Sequence, residues 1–309
     1  MKTDFEFRDS PQRWGHLCGG CGCGFAPTRR RFGAAVLGAA AAWAVPALAR
    51  EGVDVGKESR FAKLVPAEQV EQAAAKQYLQ MQREASGKGA LAQADHPQVI
   101  RLRAIAARII PFSHEWNPRA RTWRWEVNLI GSPQVNAFCM PGGKIAFYQG
   151  ILEQLQLNDD EVAAVMGHEV AHALREHARE RMGKTFATRG AIEIGAALFG
   201  LGDLARLGAD IGGQLLTLRF GREDESEADL VGLELAARAG YDPRAGVTLW
   251  QKMGAANKGA PPQWLSTHPA GASRIREIEA NLPKVMPLYA RAEKPVRRFV
   301  PPQAAQAKG

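Results

Sequence analysis

The stretch His168–Glu169–Val170–Ala171–His172 constrains the fold more than any other part of this 309-residue chain. Residues four apart on an α-helix lie about 40° apart around its axis, so His168 and His172 project side by side if the stretch is helical. Two neighbouring imidazoles can bind one tetrahedral ion, and Glu169 can hold a water molecule without taking a ligand position. The pattern predicts a zinc-binding helix, although the same spacing also occurs by chance in ordinary amphipathic helices.

A catalytic zinc site also needs a third protein ligand and an open position for water. A third histidine at the metzincin spacing is excluded, because Arg175 and Ala178 occupy those positions. Two later acids are candidates, Glu193 and Glu225. Only Glu225 is followed one helical turn later by another carboxylate, Asp229, which can accept the spare N–H of a zinc-bound histidine. The sequence therefore favours Glu225 over Glu193.

Two further polar residues near these motifs are expected to point elsewhere. On one continuous helix, His177 would lie about 140° from His172 around the axis, too far to reach the same ion. Glu227 lies between Glu225 and Asp229 in the sequence and is expected on the opposite side of its helix. We interpret both His177 and Glu227 as residues outside the metal site.

The periodicity of the chain indicates an α+β fold that is mainly helical. Alternating or β-branched stretches predict strands at 122–130, 134–140 and 144–150, separated by glycine- and proline-containing turns. We expect these strands to form a small antiparallel sheet of about three strands beside the motif helix. Helical patterns begin near residues 66, 97, 223, 243 and 269, and the motif helix begins at Asn158 or Asp159 as its cap.

Residues 1–49 have the features of an export signal. The segment TRRRF at 28–32 precedes an apolar stretch that ends in the small-x-small pattern Ala47–Leu48–Ala49. The pair Arg29–Arg30 favours a twin-arginine-type signal peptide with a long leader, and hence a periplasmic protein. The alternative, an uncleaved anchor helix, is disfavoured because the apolar stretch is short and rich in alanine.

The chain after this signal is expected to contain a linker at 50–65, a domain at 66–285 and a Pro/Ala-rich tail at 286–309. Three of the four cysteines precede the signal, so Cys139 has no partner for an intramolecular disulfide. Six of the 40 basic and three of the 32 acidic residues precede Arg50, which leaves a mild positive excess without a basic run. Nucleic-acid binding is therefore not expected. The glycine-rich segment 190–218 is interrupted by charges and is interpreted as a mobile or core-packing helical segment.

Four ordered motifs resemble metallopeptidase family 48, the group of the CAAX prenyl endopeptidase, HtpX and the mitochondrial OMA-type enzymes. They are HEVAH at 168–172, NAFCMPGGKIAFYQGIL at 136–152, ESEAD at 225–229 and STHPAGASRI at 266–275. The resemblance extends from about residue 95 to 282. The chain is most similar to the compact periplasmic members (BepA- and LoiP-like), because neither the transmembrane helices of other branches nor a helical-repeat extension is evident.

This resemblance implies a gluzincin-type zinc endopeptidase with one zinc ion per chain. It makes His168, His172 and Glu225 the zinc ligands and Glu169 the general base, while Asp229 supports a ligand from behind. A zinc ion in this arrangement lowers the pKa of bound water and polarises the scissile carbonyl.

The resemblance also implies roles for two later residues and one strand. His268 either stabilises the tetrahedral oxyanion or caps the zinc and keeps the enzyme idle. Arg274 either orients that loop or binds the reaction intermediate. An extended substrate is expected to add to the edge of the strand that contains the predicted substrate-binding residues Val135, Asn136, Ala137, Phe138 and Cys139. Cys139 itself is interpreted as a packed side chain.

The expected function is hydrolysis of misfolded or unassembled envelope proteins, that is, protein quality control. The expected partners are unfolded or misassembled protein chains, with a possible peripheral association with the outer membrane. The alternative is a non-hydrolytic zinc-stabilised chaperone or scaffold, which would keep the ligands without needing Glu169.

Overall fold

The computed structural model describes residues 50–193, 215, 218–256, 263–269 and 271–302, with the side chains of 189–193 excepted. The predicted signal peptide (1–49), most of the glycine-rich segment (190–218) and the end of the predicted tail therefore lie outside the described residues. None of the described helices combines the length and the hydropathy that a membrane crossing requires.

Helices account for most of the described chain, and three strands form one small sheet. The order is α1 (Ala67–Gly87), α2 (Pro97–Ile109), β1 (Glu126–Ile130), β2 (Ala137–Met140), β3 (Lys144–Tyr148), α3 (Gln149–Gln154), α4 (Asp159–Leu174), α5 (His177–Glu193), α6 (Arg222–Arg238), α7 (Ala245–Ala256), α8 (Gln263–Thr267) and α9 (Ala272–Arg291). Short 3-10 helices occur at Arg60–Leu64, Ile110–Glu115 and Pro118–Arg121. The predicted mainly helical α+β fold is confirmed.

The sheet has the expected three strands, but its strand order is β1-β3-β2 and it is mixed. Strands β2 and β3 form the antiparallel pair that the Pro141–Gly143 turn predicts, whereas β1 and β3 run parallel. The expectation of a wholly antiparallel sheet is therefore wrong. After β1, the segment 131–136 reverses the chain, and β2 lies two strand positions from β1. Strand β3 lies between them and runs in the same direction as β1. Side-chain alternation predicts that a segment is a strand but not which strand lies beside it.

Helix α4 begins at a capping box. The side chain of Asn158 accepts a hydrogen bond from the N–H of Glu161 (2.9 Å), and the Glu161 carboxylate accepts one from the N–H of Asn158 (2.9 Å). This reciprocal pair satisfies two N–H groups at the helix start. Asn158 is thus the cap, and every residue from Val165 to Leu174 is buried, so α4 forms the centre of the domain.

Helices α4 and α6 approach each other closely at two glycines. A Cβ atom on Gly167 would lie 2.6 Å from the carbonyl oxygen of Gly232, and one on Gly232 would lie 2.6 Å from the backbone nitrogen of His168. Side chains do not fit at such distances, so the helix contact requires glycine on both sides. The close approach brings the acidic residues at the start of α6 next to the histidines of α4.

Residues 50–65, expected to be a flexible linker, lie against the domain instead. Arg50 Nη2 is 2.6 Å from Glu234 Oε1, and the N–H of Val53 donates to Glu234 Oε2 at 2.8 Å. The Glu234 side chain is fully buried on α6, and a buried carboxylate needs such donors. The expectation fails because the acid that binds this segment is distant in the sequence.

The C-terminal boundary also lies later than expected. Helix α9 passes through Pro283 and Pro287 and ends at Arg291, beyond the predicted domain end at 285. Further on, the N–H of Phe299 donates to Asp159 Oδ2 at 2.8 Å. The first part of the predicted tail is therefore helical, and the described residues after it contact the start of α4.

Candidate metal centre

Four buried side chains from three parts of the fold converge at the centre of the domain. His168 and His172 come from α4, Glu225 from the first turn of α6, and His268 from the residue after α8. One potential ligand atom of each residue lies within 4.8 Å of the others. Such a group can hold a metal ion.

The donor set fits zinc in both chemistry and spacing. The Nε2 atoms of His168 and His172 lie 3.1 Å apart, and His268 Nδ1 lies 2.9 Å from Glu225 Oε1. Zinc bonds to imidazole nitrogen are about 2.0–2.1 Å long, so ligand atoms at neighbouring corners of a tetrahedron lie about 3.3 Å apart. Imidazole and carboxylate are both common zinc ligands. The structure thus brings the three predicted ligands together and adds His268, while the side chain of Glu193 lies outside the described residues.

Burial and neighbouring charges set the protonation states of two of these histidines. Burial, together with His168 and His177, lowers the pKa of His172 well below its ordinary value, so this ring is neutral, as a metal ligand must be. Burial also lowers the pKa of His268, but the carboxylates of Glu169 and Glu225 outweigh it and raise that pKa above its ordinary value. These two carboxylates therefore favour the protonated form of His268.

Glu169 points to a neighbouring position and is not one of the four converging groups. Its Oε1 accepts a hydrogen bond from Trp264 Nε1 at 2.6 Å and lies 3.7 Å from His268 Nε2. Glu169, His172 and His268 line the same cleft. The carboxylate is buried and has a fixed position beside the candidate metal site.

The outer nitrogen of the His168 ring lies next to Asp229, the residue predicted to support it. His168 Nδ1 is 3.0 Å from Asp229 Oδ1, and Trp250 Nε1 donates to the same oxygen at 3.3 Å. Arg274 binds both carboxylate oxygens of Asp229, at 2.6 and 2.7 Å. Burial alone would raise the pKa of Asp229, but Arg274 and the hydrogen bond with His168 lower it to about 2. Asp229 is therefore ionised.

Arg274 lies behind the carboxylates. Besides its bonds to Asp229, its Nη1 is 2.6 Å from Glu225 Oε2, and its guanidinium carbon lies 3.6 Å from the ring centroid of Trp250. This position suits a residue that orients the two acids. Its Nη1 also donates to the carbonyl of Pro269 at 3.2 Å, a contact with the loop that Arg274 was expected to orient, whereas binding of a reaction intermediate, the other expected role, stays a prediction.

His177 is not one of the four converging groups, but its ring contacts that of His172 and does not point elsewhere as we expected. Helix α4 ends at Leu174, Glu176 has a positive φ of 57°, and α5 begins at His177. Because the chain turns here, the angle calculated for one continuous helix does not apply. His177 Nδ1 lies 2.9 Å from His172 Nδ1.

Glu227 is not one of the four converging groups, but its carboxylate contacts residues that follow α4. Its Oε2 is 3.3 Å from His177 Nε2 and 2.8 Å from Arg175 Nε. Burial raises the pKa of Glu227, but the hydrogen bonds from His177 and Arg175 outweigh it and hold that pKa below its ordinary value. The expectation considered only the angle between Glu225 and Glu227 around α6. It did not consider the residues that follow α4, which Glu227 contacts.

Three aromatic residues at this centre have no signal in the sequence. The ring of Phe220 lies over that of His172, with centroids 4.1 Å apart and planes inclined by 30°. Trp250 and Trp264 stack with centroids 5.0 Å apart, and each donates its indole N–H to an acid. A buried tryptophan needs a partner for its N–H, but nothing in the spacing of these residues identifies the partner.

The edge strand β2 forms one wall of the cleft. Four of the five predicted substrate-binding residues, Asn136 to Cys139, line it. Val135 is the exception, because its carbonyl accepts a hydrogen bond from the N–H of Trp264 at 3.1 Å. Burial raises the pKa of the Cys139 thiol well above its ordinary value, as for a packed side chain.

The backbone of β2 presents alternate residues to the cleft. The N–H of Tyr148 donates to the carbonyl of Asn136 at 3.0 Å. Because hydrogen-bonded and non-hydrogen-bonded pairs alternate in an antiparallel ladder, the backbone groups of Ala137 and Cys139 face away from β3. The Asn136 side chain accepts the N–H of Ala137 at 3.0 Å, so the Ala137 carbonyl and both Cys139 groups are the ones on the outer edge of β2 that the ladder leaves for another strand.

A sequence model described as Peptidase family M48 matches residues 97–282. The chain belongs to peptidase family M48. The matched range includes α4, α6 and the residues of the candidate metal centre, and it agrees with the range over which the four motifs predicted the resemblance. That prediction is confirmed.

Relatives in family M48 come from mitochondria and from bacteria. The mitochondrial metalloendopeptidase OMA1 of Schizosaccharomyces pombe is 37% identical over 192 residues, which cover 61% of this chain and 54% of that protein. The metalloprotease LoiP of Escherichia coli is 30% identical over 187 residues, 56% of this chain and 73% of LoiP. The β-barrel assembly-enhancing protease of Escherichia coli is 27% identical over 170 residues, 52% of this chain and 35% of that protein. The chain thus spans about half the length of the fission-yeast relative.

Proposed function

We propose that the chain is a zinc-dependent endopeptidase in which His168, His172 and Glu225 hold one zinc ion. The observation that carries the proposal is the buried convergence of three imidazoles and a carboxylate beside a cleft that Glu169 also lines. Bound zinc polarises a scissile carbonyl and lowers the pKa of a water molecule toward neutrality. Membership in family M48 and relatives named metalloendopeptidases support the proposal.

Glu169 is the general base of this proposal. Its carboxylate accepts the proton of the attacking water and returns it to the leaving amine. The hydrogen bond from Trp264 (2.6 Å) fixes one carboxylate oxygen, so the base does not have to be ordered when substrate arrives. The rival function, a non-hydrolytic zinc-stabilised chaperone or scaffold, is not favoured because it gives Glu169 no task.

His268 has two possible tasks in this proposal, which one variant separates. If its ring donates a hydrogen bond to the developing oxyanion, His268→Ala lowers the turnover rate by about 100-fold or more. If the ring occupies the fourth position among the ligands, where its Nδ1 lies 2.9 Å from Glu225, the same variant is more active than wild type. Unchanged kinetics would remove His268 from the mechanism.

Substrate is proposed to bind as an extended strand along β2. The carbonyl of Ala137 and the backbone groups of Cys139 would pair with its main chain. Main-chain pairing does not select a side-chain sequence, so it suits unfolded or misassembled proteins of varied sequence. Arg274 would act indirectly, by orienting Glu225 and Asp229.

The proposed setting is quality control of envelope proteins in the periplasm, after twin-arginine export and with possible peripheral association with the outer membrane. Two relatives are the Escherichia coli metalloprotease LoiP and a protease named for enhancing β-barrel assembly, which is consistent with this setting. Replacing Arg29 and Arg30 with lysine should leave the precursor in the cytoplasm. Cell fractionation measures this, and normal export would exclude the twin-arginine route.

The experiment that tests the proposed function pairs Glu169→Gln with the control Glu223→Gln. Glu223 is exposed on α6, so its variant should cleave casein like wild type. Glu169→Gln removes the base without removing a ligand, so it should retain one zinc per chain and wild-type stability while losing casein cleavage. Hydrolysis near the wild-type rate in Glu169→Gln would reject the mechanism.

A further inference from the structure

The second zinc histidine is connected to a carboxylate through another histidine. His172 Nδ1 meets His177 Nδ1 at 2.9 Å, and His177 Nε2 meets Glu227 Oε2 at 3.3 Å. Both histidines are buried, and their ring centroids lie 4.9 Å apart. His177 thus uses both of its ring nitrogens, one toward the metal centre and one toward an acid.

Only one arrangement of protons satisfies this chain of contacts when His172 binds a metal through Nε2. The neutral His172 ring then has its proton on Nδ1 and donates it to His177 Nδ1, which must be an acceptor. The proton of neutral His177 is therefore on Nε2, where it faces Glu227. An ionised carboxylate accepts hydrogen bonds and cannot donate them, so Glu227 selects this tautomer.

We propose that His177 is a positioning residue that fixes the ring orientation and the tautomer with which His172 binds zinc, and that Glu227 acts on His172 through His177. This inference rests on the proposed zinc site. Residues that hold the outer nitrogen of a metal-bound histidine raise the basicity of the ligand and restrict its rotation. Here the residue that contacts His172 is the neutral imidazole of His177, and the negative charge is on Glu227, on the other side of that ring.

Neighbouring residues hold this relay, the contacts that lead from His172 through His177 to Glu227, in place. Arg175 Nε donates to Glu227 Oε2 at 2.8 Å, and Arg175 Nη2 donates to the carbonyl of Gly56 at 3.2 Å. Phe220 lies over the face of the His172 ring, with ring centroids 4.1 Å apart. The Glu227 carboxylate therefore has a fixed position, although 28% of its side chain is exposed.

The first test measures the zinc affinity of His177 variants by competition with a chelator. His177→Phe keeps the ring volume and removes both nitrogens, and we expect it to bind zinc about 10- to 100-fold more weakly. His177→Gln retains an amide oxygen that can accept the His172 N–H, so its affinity should stay within about threefold of wild type. The control His114→Gln removes a histidine that is not among the converging groups and should leave the affinity unchanged. Melting of the metal-free proteins separates an effect on zinc from an effect on the fold.

The second test asks whether Glu227 acts through His177. Glu227→Gln should weaken zinc binding by a smaller factor, roughly fivefold, because this carboxylate is partly exposed and one ring away from the ligand. The matched control on the same helix is Glu223→Gln. In a relay, the double variant His177→Phe/Glu227→Gln binds zinc no more weakly than His177→Phe alone, whereas independent contributions add.

Zinc affinity of His177→Phe within twofold of wild type overturns the inference, as does full additivity in the double variant. If His177→Phe does not fold, Glu227→Gln decides alone, and an affinity equal to that of Glu223→Gln overturns the relay. Failure of the proposed function has a different signature: wild type that binds no zinc, or active Glu169→Gln. If only the relay is wrong, the wild-type protein still binds zinc and Glu169→Gln is still inactive.

Discussion

His168 and His172 lie one turn apart on α4, yet their outer ring nitrogens meet different partners. His168 contacts the carboxylate of Asp229 directly, whereas His172 contacts the imidazole of His177 and reaches Glu227 only through it. The exposed fraction of the side chain is 6% for Asp229 and 28% for Glu227. His168 thus has an adjacent, buried negative charge, and His172 has a more distant and more exposed one.

This difference indicates how the domain distributes electrostatic support. The interaction of two charges weakens with distance and with solvent screening, so Asp229 stabilises a bound cation more strongly than Glu227 does. The adjacent acid also needs more compensation, which Arg274 supplies with two bonds. We therefore expect changes on the His168 side to cost more than matched changes on the His172 side.

The largest difference is expected between the two supporting arginines. Arg274→Met leaves Asp229 and Glu225 buried and uncompensated, so the free energy of unfolding of the metal-free protein should fall by about 3–5 kcal/mol. Arg175→Met removes the partner of a partly exposed acid and should cost about 1 kcal/mol or less. Denaturant unfolding measures both values. Equal losses would show that the two sides are not different in this respect.

The next difference concerns the acid that contacts the ligand. Asp229→Asn retains an oxygen that can accept the His168 N–H but removes the charge, and zinc affinity should fall by about 100-fold. His177→Phe, compared in the same chelator competition, should cost no more than this. A larger loss in His177→Phe would reverse the comparison.

The smallest effect is expected from Trp250, the weakest of the donors to Asp229. Trp250→Phe keeps a ring beneath Arg274 and removes one neutral hydrogen bond, so stability should fall by about 0.5–1.5 kcal/mol. Zinc affinity should stay near the wild-type value, because Arg274 still holds Asp229. A drop in affinity as large as that of Asp229→Asn would assign the orienting role to Trp250.

On the His168 side, the position of each residue within its own helix could be predicted from helical spacing, whereas the meeting of the two helices depends on the close approach at Gly167 and Gly232 and was implied only by the family resemblance. His168 and His172 are four residues apart, as are Glu225 and Asp229, and each pair lies within one uninterrupted helix. The capping residue Asn158 follows from the same local rules. Within such a helix, sequence distance converts directly into position.

The His172 side could not be predicted because it depends on a helix break without a sequence signal. Glu176 adopts a left-handed conformation, which is uncommon for residues other than glycine. No glycine or proline marks the turn between α4 and α5. The parallel pairing of β1 and the docking of Arg50 on Glu234 were missed for a related reason. Each depends on a partner that is distant in the sequence and that local composition does not identify.

The outer edge of β2, with which no strand among the described residues pairs, also bears on self-association. An exposed strand edge can pair with a strand of another copy, the first step of edge-to-edge aggregation. Strand β2 contains only Ala137–Met140; the bond from Trp264 to Val135 precedes it, and the glycine turn at 142–143 follows it. The bond from Trp264 and the glycine turn thus limit the edge to little more than the backbone groups of Ala137 and Cys139. A single unfolded chain can pair with so short a strand edge. Fibril formation by stacked sheets needs a longer and flatter edge.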